Sequence, residues 1–145
     1  MEKNYCVCIL FNKDLTKTLL IKKAEGKLFA GMFNGLGGKL EQGETPEEAC
    51  IREIFEESNE KIKLTNPFHL ATLTFPHKQV INLHAFYDVI DEVELGENRE
   101  GEAHWKPVEF LLDFKNQLVV GYGNLAYLCK LALITETTTE FNHLK

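Results

Sequence analysis

Three glutamates lie close together in the middle of the chain: Glu53, Glu56 and Glu57. The second and third follow the first by three and four residues and are adjacent to each other. In an α-helix such residues share one face, because each residue advances by about 100° around the axis. Carboxylates on one face repel each other, by roughly 0.2–0.5 kcal/mol for each pair three or four residues apart. A divalent cation reverses that cost, since Mg²⁺ takes oxygen ligands from carboxylates and from substrate phosphates. The alternative is a solvated acidic face, which is common in a protein with a net charge of −6.

The residues before these glutamates predict where their helix begins. Thr45 is a favourable N-cap, Pro46 suits the first helical position, and Glu48 lies three residues after the cap, as a capping box requires. Small Ala49 and Cys50 are expected on the side of the glutamates. The apolar residues expected on the opposite side, facing the core, are Ile51, Ile54 and Phe55.

The spacing of residues around this helix resembles the Nudix box, G-x5-E-x7-R-E-U-x-E-E-x-G-U, in which U is an apolar residue. The matching positions are Gly38, Glu44, Arg52, Glu53, Ile54, Glu56 and Glu57. Proteins with this box are hydrolases that cleave nucleoside diphosphates linked to another group. The resemblance implies an α/β fold, an α/β/α sandwich with a mixed β-sheet flanked by helices. Residues 1–145 are expected to form a single Nudix hydrolase domain.

The chain departs from the box at its last two positions. Asn59 replaces the glycine and Glu60 replaces an apolar residue. After glycine, asparagine is the residue that best tolerates the left-handed conformation that ends a helix, so the first change is mild. Ile62 is expected to supply the missing apolar contact.

The resemblance also implies roles for the residues of the box. Glu53, Glu56, Glu57 and the Gly38 carbonyl are expected to hold Mg²⁺, for which Mn²⁺ can substitute. Arg52 is expected to orient the carboxylates by pairing with Glu44 or a neighbour.

Many relatives carry a further glutamate five residues before a tryptophan, as a metal ligand or a base for water. Here that residue is Glu100, before Trp105, and Glu102 is the alternative if the loop shifts its register. Either Glu53 or Glu100 would take the proton from the attacking water. The expected catalytic residues are therefore Glu53, Arg52, Glu57 and Glu100, with Glu100 also an expected metal ligand.

The segment FNGLGGKLEQGET is similar to the corresponding stretch of MutT-like, oxidised-purine triphosphatases. In that branch the residue matching Asn34 hydrogen-bonds the base and the lysine matching Lys39 lies near the phosphates. The other expected substrate-binding residues are Lys23, Leu28, Phe33, Tyr122 and Asn124. Several have plain structural alternatives: a solvated strand end for Lys23, a cover over the core for Leu28 and Phe33, and loop or helix-cap positions for Tyr122 and Asn124.

These features favour hydrolysis of a nucleoside or deoxynucleoside triphosphate, such as 8-oxo-dGTP or another modified purine, to a monophosphate and pyrophosphate. The alternative is a pyrophosphatase for ADP-ribose or another nucleoside diphosphate derivative, because Pro76 lies sixteen residues after the box, as in relatives that cleave ADP-ribose. A third possibility is a nucleotide sensor without activity. Such sensors typically lose carboxylates of the box, and this chain keeps them.

Composition sets broader limits on partners and location. The length of 145 residues favours one domain. The pI near 5.4 argues against nucleic-acid polymers or anionic membranes as partners. The four cysteines have no zinc-ligand spacing, so buried thiols and a cytoplasmic location are expected. Hydrophobic patterning predicts strands at residues 5–11, 18–21, 64–75 and 80–90, a loop at 91–102 and a helix at 124–135. A homodimer is possible from the resemblance alone.

Overall fold

The computed structural model describes residues 2–76, 78–113, 115–121 and 123–143, with side chains as far as residue 138. The strands are β1 (Glu2–Phe11), β2 (Lys17–Lys23), β3 (Phe33–Asn34), β4 (Leu36–Lys39), β5 (Phe68–Pro76), β6 (Val80–Val89) and β7 (Gly101–Pro107). The helices are α1 (Pro46–Glu57), α2 (Val108–Leu112) and α3 (Asn124–His143).

The strands form one mixed sheet in the order β3-β2-β1-β6-β5, with β4 also paired to β1 and β7 to β2. The central strands β1 and β6 are parallel along their whole length, from Glu2 opposite Val80 to Phe11 opposite Val89. The other pairs are antiparallel. The predicted mixed sheet is therefore confirmed.

The apolar run of β1 fills two cores, because successive side chains of a strand point to opposite faces of the sheet. On one face, Cys6, Cys8 and Leu10 pack with residues of α1. On the other face, Val7, Ile9 and Phe11 pack with residues of α3. The layers are thus α1, sheet and α3, and the predicted α/β/α sandwich is confirmed. All four cysteines are buried and free, as expected.

Element boundaries differ from the sequence-based expectations most at β5 and α3. β5 begins at Phe68 and not at residue 64, since Pro67 has no N–H to donate to a ladder and marks the strand start. The segment before it still contributes Leu64 to the core. Helix α3 continues to His143, beyond the predicted end at residue 135, because no glycine or proline interrupts residues 124–143. Within the described ranges, none of the helices has the length and apolarity needed to cross a membrane.

The orientation of α1 also differs from the prediction. Ile54 is fully buried as expected, but Ile51 and Phe55 are only partly buried. The helix instead turns the side with Ala49, Cys50 and Glu57 toward the sheet. Contact is close because β4 presents glycines there: a Cβ on Gly38 would lie 2.5 Å from the carboxyl carbon of Glu53. The carboxylates therefore line a seam between α1 and β4.

Candidate active site

Both ends of α1 are fixed by local hydrogen bonds. The Thr45 hydroxyl accepts from the Glu48 amide at 3.2 Å, and the Glu48 carboxylate accepts from the Thr45 amide at 3.0 Å, which is the predicted capping box. At the other end, Asn59 has the predicted left-handed conformation, with φ of 55°, and Ile62 is buried in the core. The helix that carries the carboxylates is thus set by its own sequence.

Arg52 connects the carboxylates of this region. Its Nε and Nη2 donate to the two oxygens of Glu44 at 2.7 and 2.9 Å, so the predicted pairing with Glu44 is present. Its Nη1 donates to Glu53 at 3.0 Å and to Glu56 at 3.4 Å, and its Nη2 also reaches the Lys39 carbonyl at 3.2 Å. The hydrogen bond from Arg52 keeps the pKa of Glu44 below its ordinary value. One guanidinium therefore orients three carboxylates against β4.

Glu57 is a buried carboxylate, 7% exposed, whose Oε1 accepts a hydrogen bond from the Gly37 amide at 3.0 Å. The pKa of Glu57 is raised to about 8, chiefly by burial; the Gly37 N–H opposes the shift and the nearby Glu53 adds to it. Burial also raises the pKa of Glu53, against the opposing effect of Arg52. A positive charge placed between these groups would offset the cost of ionising them.

These carboxylates open onto a cavity of about 680 Å³. Glu53, Glu56 and Glu57 line it together with Gly37 and Gly38, so the expected metal-binding group shares one space. The remaining predicted site residues that line the cavity are Lys23, Asn34, Glu100 and Asn124.

The donor set of the seam fits a hard divalent cation, because it consists of carboxylates and the backbone of glycines. In the described part of the chain, however, no three His, Cys, Asp or Glu side chains converge into a complete ligand set. Glu53 and Glu56 are turned toward Arg52, and Glu57 is turned toward the Gly37 amide. Holding an ion requires these side chains to exchange such hydrogen bonds for metal contacts.

Glu100 lines the same cavity as the carboxylates of α1 and is held by two lysines. Its carboxylate pairs with Lys23 at 3.2 Å and Lys27 at 3.3 Å. Partial burial opposes its ionisation, but the two lysines outweigh that effect and keep the pKa of Glu100 below its ordinary value. The alternative residue, Glu102, is in β7 and not in the predicted loop; it pairs with His104 at 2.7 Å and lines a separate cavity of about 360 Å³.

The predicted substrate-binding residues do not all meet at the cavity. Phe33 is buried, with its ring 5.2 Å from that of Phe110, because its backbone pairs with β2 and turns the side chain into the core on the α3 side. Leu28 is 77% exposed and does not line the cavity, because the segment after β2 turns outward. The Lys39 side chain is exposed outside the cavity, and Tyr122 lies outside the described residues.

Some residues that line the cavity were not predicted. Tyr5 and Leu83 come from β1 and β6, whose parallel pairing joins segments far apart in sequence. Arg99 and Asn98 also line it, next to Glu100. Asparagine two residues before a predicted catalytic residue is a signal for a side-chain turn and could have identified Asn98.

The sequence is similar to characterised proteins over most of its length. The family model for the NUDIX domain matches residues 2–121. The NAD-capped RNA hydrolase NudC of Actinobacillus succinogenes is 36% identical over 76 residues, which cover 52% of this chain and 28% of that protein. NudC of Pseudomonas syringae pv. syringae is 30% identical over 105 residues, 72% of this chain and 37% of that protein. The chain thus spans well under half the length of these relatives.

Solved structures show the same fold. The E. coli ORF135 protein has a TM-score of 0.71 at 20% identity and matches 94% of this chain and 92% of its own. The mutator MutT protein of Bacillus halodurans has a TM-score of 0.68 at 26% identity, covering 87% of this chain and 79% of that one. The NUDIX domain of Shewanella oneidensis NrtR, solved with ADP ribose, has a TM-score of 0.71 at 15% identity over 92% of this chain and 89% of its own. Together with the carboxylate seam between α1 and β4, these matches establish that the chain belongs to the Nudix hydrolase family and is MutT-like in structure.

Proposed function

We propose that this protein catalyses the Mg²⁺-dependent hydrolysis of a nucleoside or deoxynucleoside triphosphate to the monophosphate and pyrophosphate. One observation carries the proposal: Glu53, Glu56 and the buried Glu57 line one cavity of about 680 Å³, with the backbone of Gly38 beside them. Burial makes the ionised form of Glu57 unfavourable, as its pKa of about 8 indicates, and a bound cation would stabilise that form. Divalent ions are general in this family.

The residues of the seam divide the work of phosphoanhydride cleavage, which is largely positioning and charge neutralisation. Glu53, Glu56, Glu57 and the Gly38 carbonyl are the proposed ligands of Mg²⁺, which when bound neutralises phosphate charge and makes a coordinated water more acidic. Arg52 holds the carboxylates in place through Glu44 and the Lys39 carbonyl.

A base for the attacking water must come from the acids that line the cavity. Glu53 is one candidate, because its carboxylate is held at the seam. Glu100 is the other, since its carboxylate lines the same cavity, although the lysines that lower its pKa also make it a weaker base. Lys23 faces the same cavity and can exchange its contact with Glu100 for a substrate phosphate oxygen.

The base of the substrate is proposed to lie against Asn34 and Asn124 at the other end of the cavity. The Asn34 Oδ1 accepts from the Gly35 amide at 2.9 Å, which fixes the side chain and directs its NH₂ group. An amide donor and acceptor at this position can read the edge of a purine. A modified purine such as 8-oxo-dGTP is the proposed substrate within this class.

A pyrophosphatase for ADP-ribose or a related nucleoside diphosphate derivative is the second candidate. The relatives at 30–36% identity are named NAD-capped RNA hydrolases, and one structural neighbour was solved with ADP ribose. The same carboxylates would serve both reactions, since each breaks a phosphoanhydride. The difference lies in the group that occupies the other end of the cavity.

A nucleotide panel tests the proposal and separates the two candidates. The purified protein is incubated with Mg²⁺ and canonical and 8-oxo nucleoside triphosphates, ADP-ribose, NAD⁺ or an NAD-capped RNA, and products are resolved by chromatography. The proposal predicts pyrophosphate and monophosphate from a triphosphate, and none after EDTA treatment. Preferential cleavage of ADP-ribose, NAD⁺ or the capped RNA supports the second candidate. Binding without turnover anywhere on the panel contradicts both.

A further inference from the structure

The loop that carries Glu100 is attached to the end of α1 by the side chain of Asn98. The Asn98 amide nitrogen donates to the Glu57 carbonyl at 2.8 Å and to the Asn59 side chain at 3.3 Å. Its Oδ1 accepts from the Glu100 amide at 2.9 Å. One side chain thus bridges the backbone of a proposed metal ligand and the backbone of Glu100.

Asn59 adds a second attachment from the helix side. Its Nδ2 donates to the Leu95 carbonyl at 2.5 Å and approaches the Glu97 carbonyl at 3.5 Å. Lys61, two residues further along the chain, donates to the Glu94 carbonyl at 2.9 Å. The loop segment before Glu100 is therefore connected to the helix end by side chains.

Asn59 occupies the position where the Nudix box has glycine. Glycine would keep the left-handed backbone, whose φ here is 55°, but it has no side chain to reach Leu95 or Asn98. Asparagine meets both requirements, since it tolerates this conformation and carries a donor and an acceptor. The departure from the motif thus coincides with a contact to the Glu100 loop.

We propose that Asn59 and Asn98 are positioning residues that hold the loop carrying Glu100 on the C-terminal end of the carboxylate helix. We call this pair of side chains and their hydrogen bonds the asparagine latch. The latch sets the place of Glu100 relative to Glu53 and Glu57 across the cavity. Its catalytic consequence rests on the proposed function; the attachment of the loop does not.

Hydrogen–deuterium exchange tests the attachment without any turnover. Asn59→Gly keeps the helix-ending conformation and removes the latch contacts of residue 59, and Asn98→Ala removes those of residue 98. Both variants are expected to exchange several-fold faster in peptides covering residues 95–101, with the β1 and β6 peptides unchanged. Asn66→Gly, an exposed asparagine between α1 and β5, is the matched control and leaves these peptides unchanged. Unaltered exchange at residues 95–101 in both latch variants would overturn the proposal.

A double-mutant cycle tests whether the latch acts through Glu100. On the best substrate, Asn59→Gly is expected to lower kcat roughly five- to twentyfold with little change in KM, since about two hydrogen bonds are lost. In a Glu100→Gln background the same substitution is expected to cost less than about twofold, because its target is already removed. An equal loss in both backgrounds would mean a general structural role and would contradict positioning. Absence of turnover in the wild-type protein would reject the proposed function, while the exchange experiment still decides the attachment.

Discussion

The two ends of the cavity are built in different ways. The carboxylate end consists of α1 and β4, where Arg52 binds Glu44, Glu53 and Glu56, and Gly37 binds Glu57. The proposed base end is lined by Asn34, Gly35, Val120, Gly121 and Asn124, and the loops next to it expose apolar side chains. The most exposed of these are Leu28 at 77%, Leu118 at 54% and Phe29 at 47%.

Under the proposed function, this difference separates the residues that carry out the reaction from those that select the substrate. The carboxylate end comes from one segment of about twenty residues, which contains α1 together with the residues that cap it. We therefore expect its geometry to be the same for every nucleotide. The base end combines segments distant in sequence, and its loops have few buried contacts to hold them. We therefore expect changes at the carboxylate end to reduce turnover of every substrate, and changes at the base end to alter the order of preference among substrates.

The largest expected effect is loss of a carboxylate from the seam. Glu56→Gln, at an exposed position of α1, is expected to lower kcat/KM for all cleaved nucleotides roughly a thousandfold, because a metal ligand contributes several kcal/mol. Glu47→Gln, on the exposed first turn of the same helix, is the matched control and should be near wild type. Steady-state rates at saturating Mg²⁺ measure the difference. Near-wild-type rates for Glu56→Gln would remove it from the metal set.

The next effect is on how the free energy of unfolding depends on pH. In the folded, metal-free protein the pKa of Glu57 is raised from 4.5 to about 8, so the folded state binds more protons than the unfolded state in that interval. Stability from this group is fully present below pH 4.5 and is lost as the pH rises through about 8, by on the order of 5 kcal/mol. Denaturant unfolding in EDTA measures the slope.

Two comparisons sharpen this pH prediction. Saturating Mg²⁺ is expected to remove the loss, because the bound cation favours ionised Glu57. Glu57→Gln is expected to remove it without metal. A metal-free wild type with no downward slope between pH 5 and 8 would show that Glu57 ionises without difficulty in its buried position.

A smaller loss is expected from Arg52→Lys. Lysine keeps the charge but cannot bind Glu44 with two parallel hydrogen bonds while reaching Glu53 and Glu56, so kcat should fall roughly 10- to 100-fold. A charge-keeping change at an exposed position that does not line the cavity, Lys63→Arg, should alter kcat less than about threefold. Equal effects of the two substitutions would contradict the orienting role of Arg52.

The smallest effect is expected at the base end. Asn34→Ala and Asn124→Ala should change the ratio of kcat/KM between purine substrates roughly tenfold, which is the cost of a lost hydrogen bond to a base. The rate with the least preferred substrate should change little. Leu28→Ala, at the 77% exposed position, is the control and should leave the ratio unchanged. A uniform loss for all substrates would mean that these asparagines contribute to the reaction and not to the selection of the base.

The same contrast explains what the sequence could predict. The capping box, the pairing of Arg52 with Glu44 and the left-handed Asn59 are local features, and all three are present. The direction of α1 was predicted wrongly in part, because helical spacing groups Ile51 with Ile54 but does not reveal which neighbour each face meets. The missing information was the glycine surface of β4, which lets the carboxylate side approach the sheet.

Features of the rest of the cavity depend on contacts between distant segments. Tyr5 and Leu83 reach the cavity through the parallel pairing of β1 and β6, for which neither segment carries a local signal. Phe33 is near the cavity in sequence but is buried beside Phe110 and Lys106. The motif thus predicts the carboxylate seam more reliably than it predicts the other residues that line the cavity.

The most direct test is a crystal structure with Mn²⁺ and a non-hydrolysable nucleoside triphosphate analogue, read by anomalous scattering. The account predicts a Mn²⁺ peak within coordination distance of Glu56, Glu57 and a phosphate oxygen, with Glu53 and the Gly38 carbonyl beside it. A peak elsewhere, with the glutamates still bound to Arg52 and Gly37 and the phosphates away from α1, would contradict it.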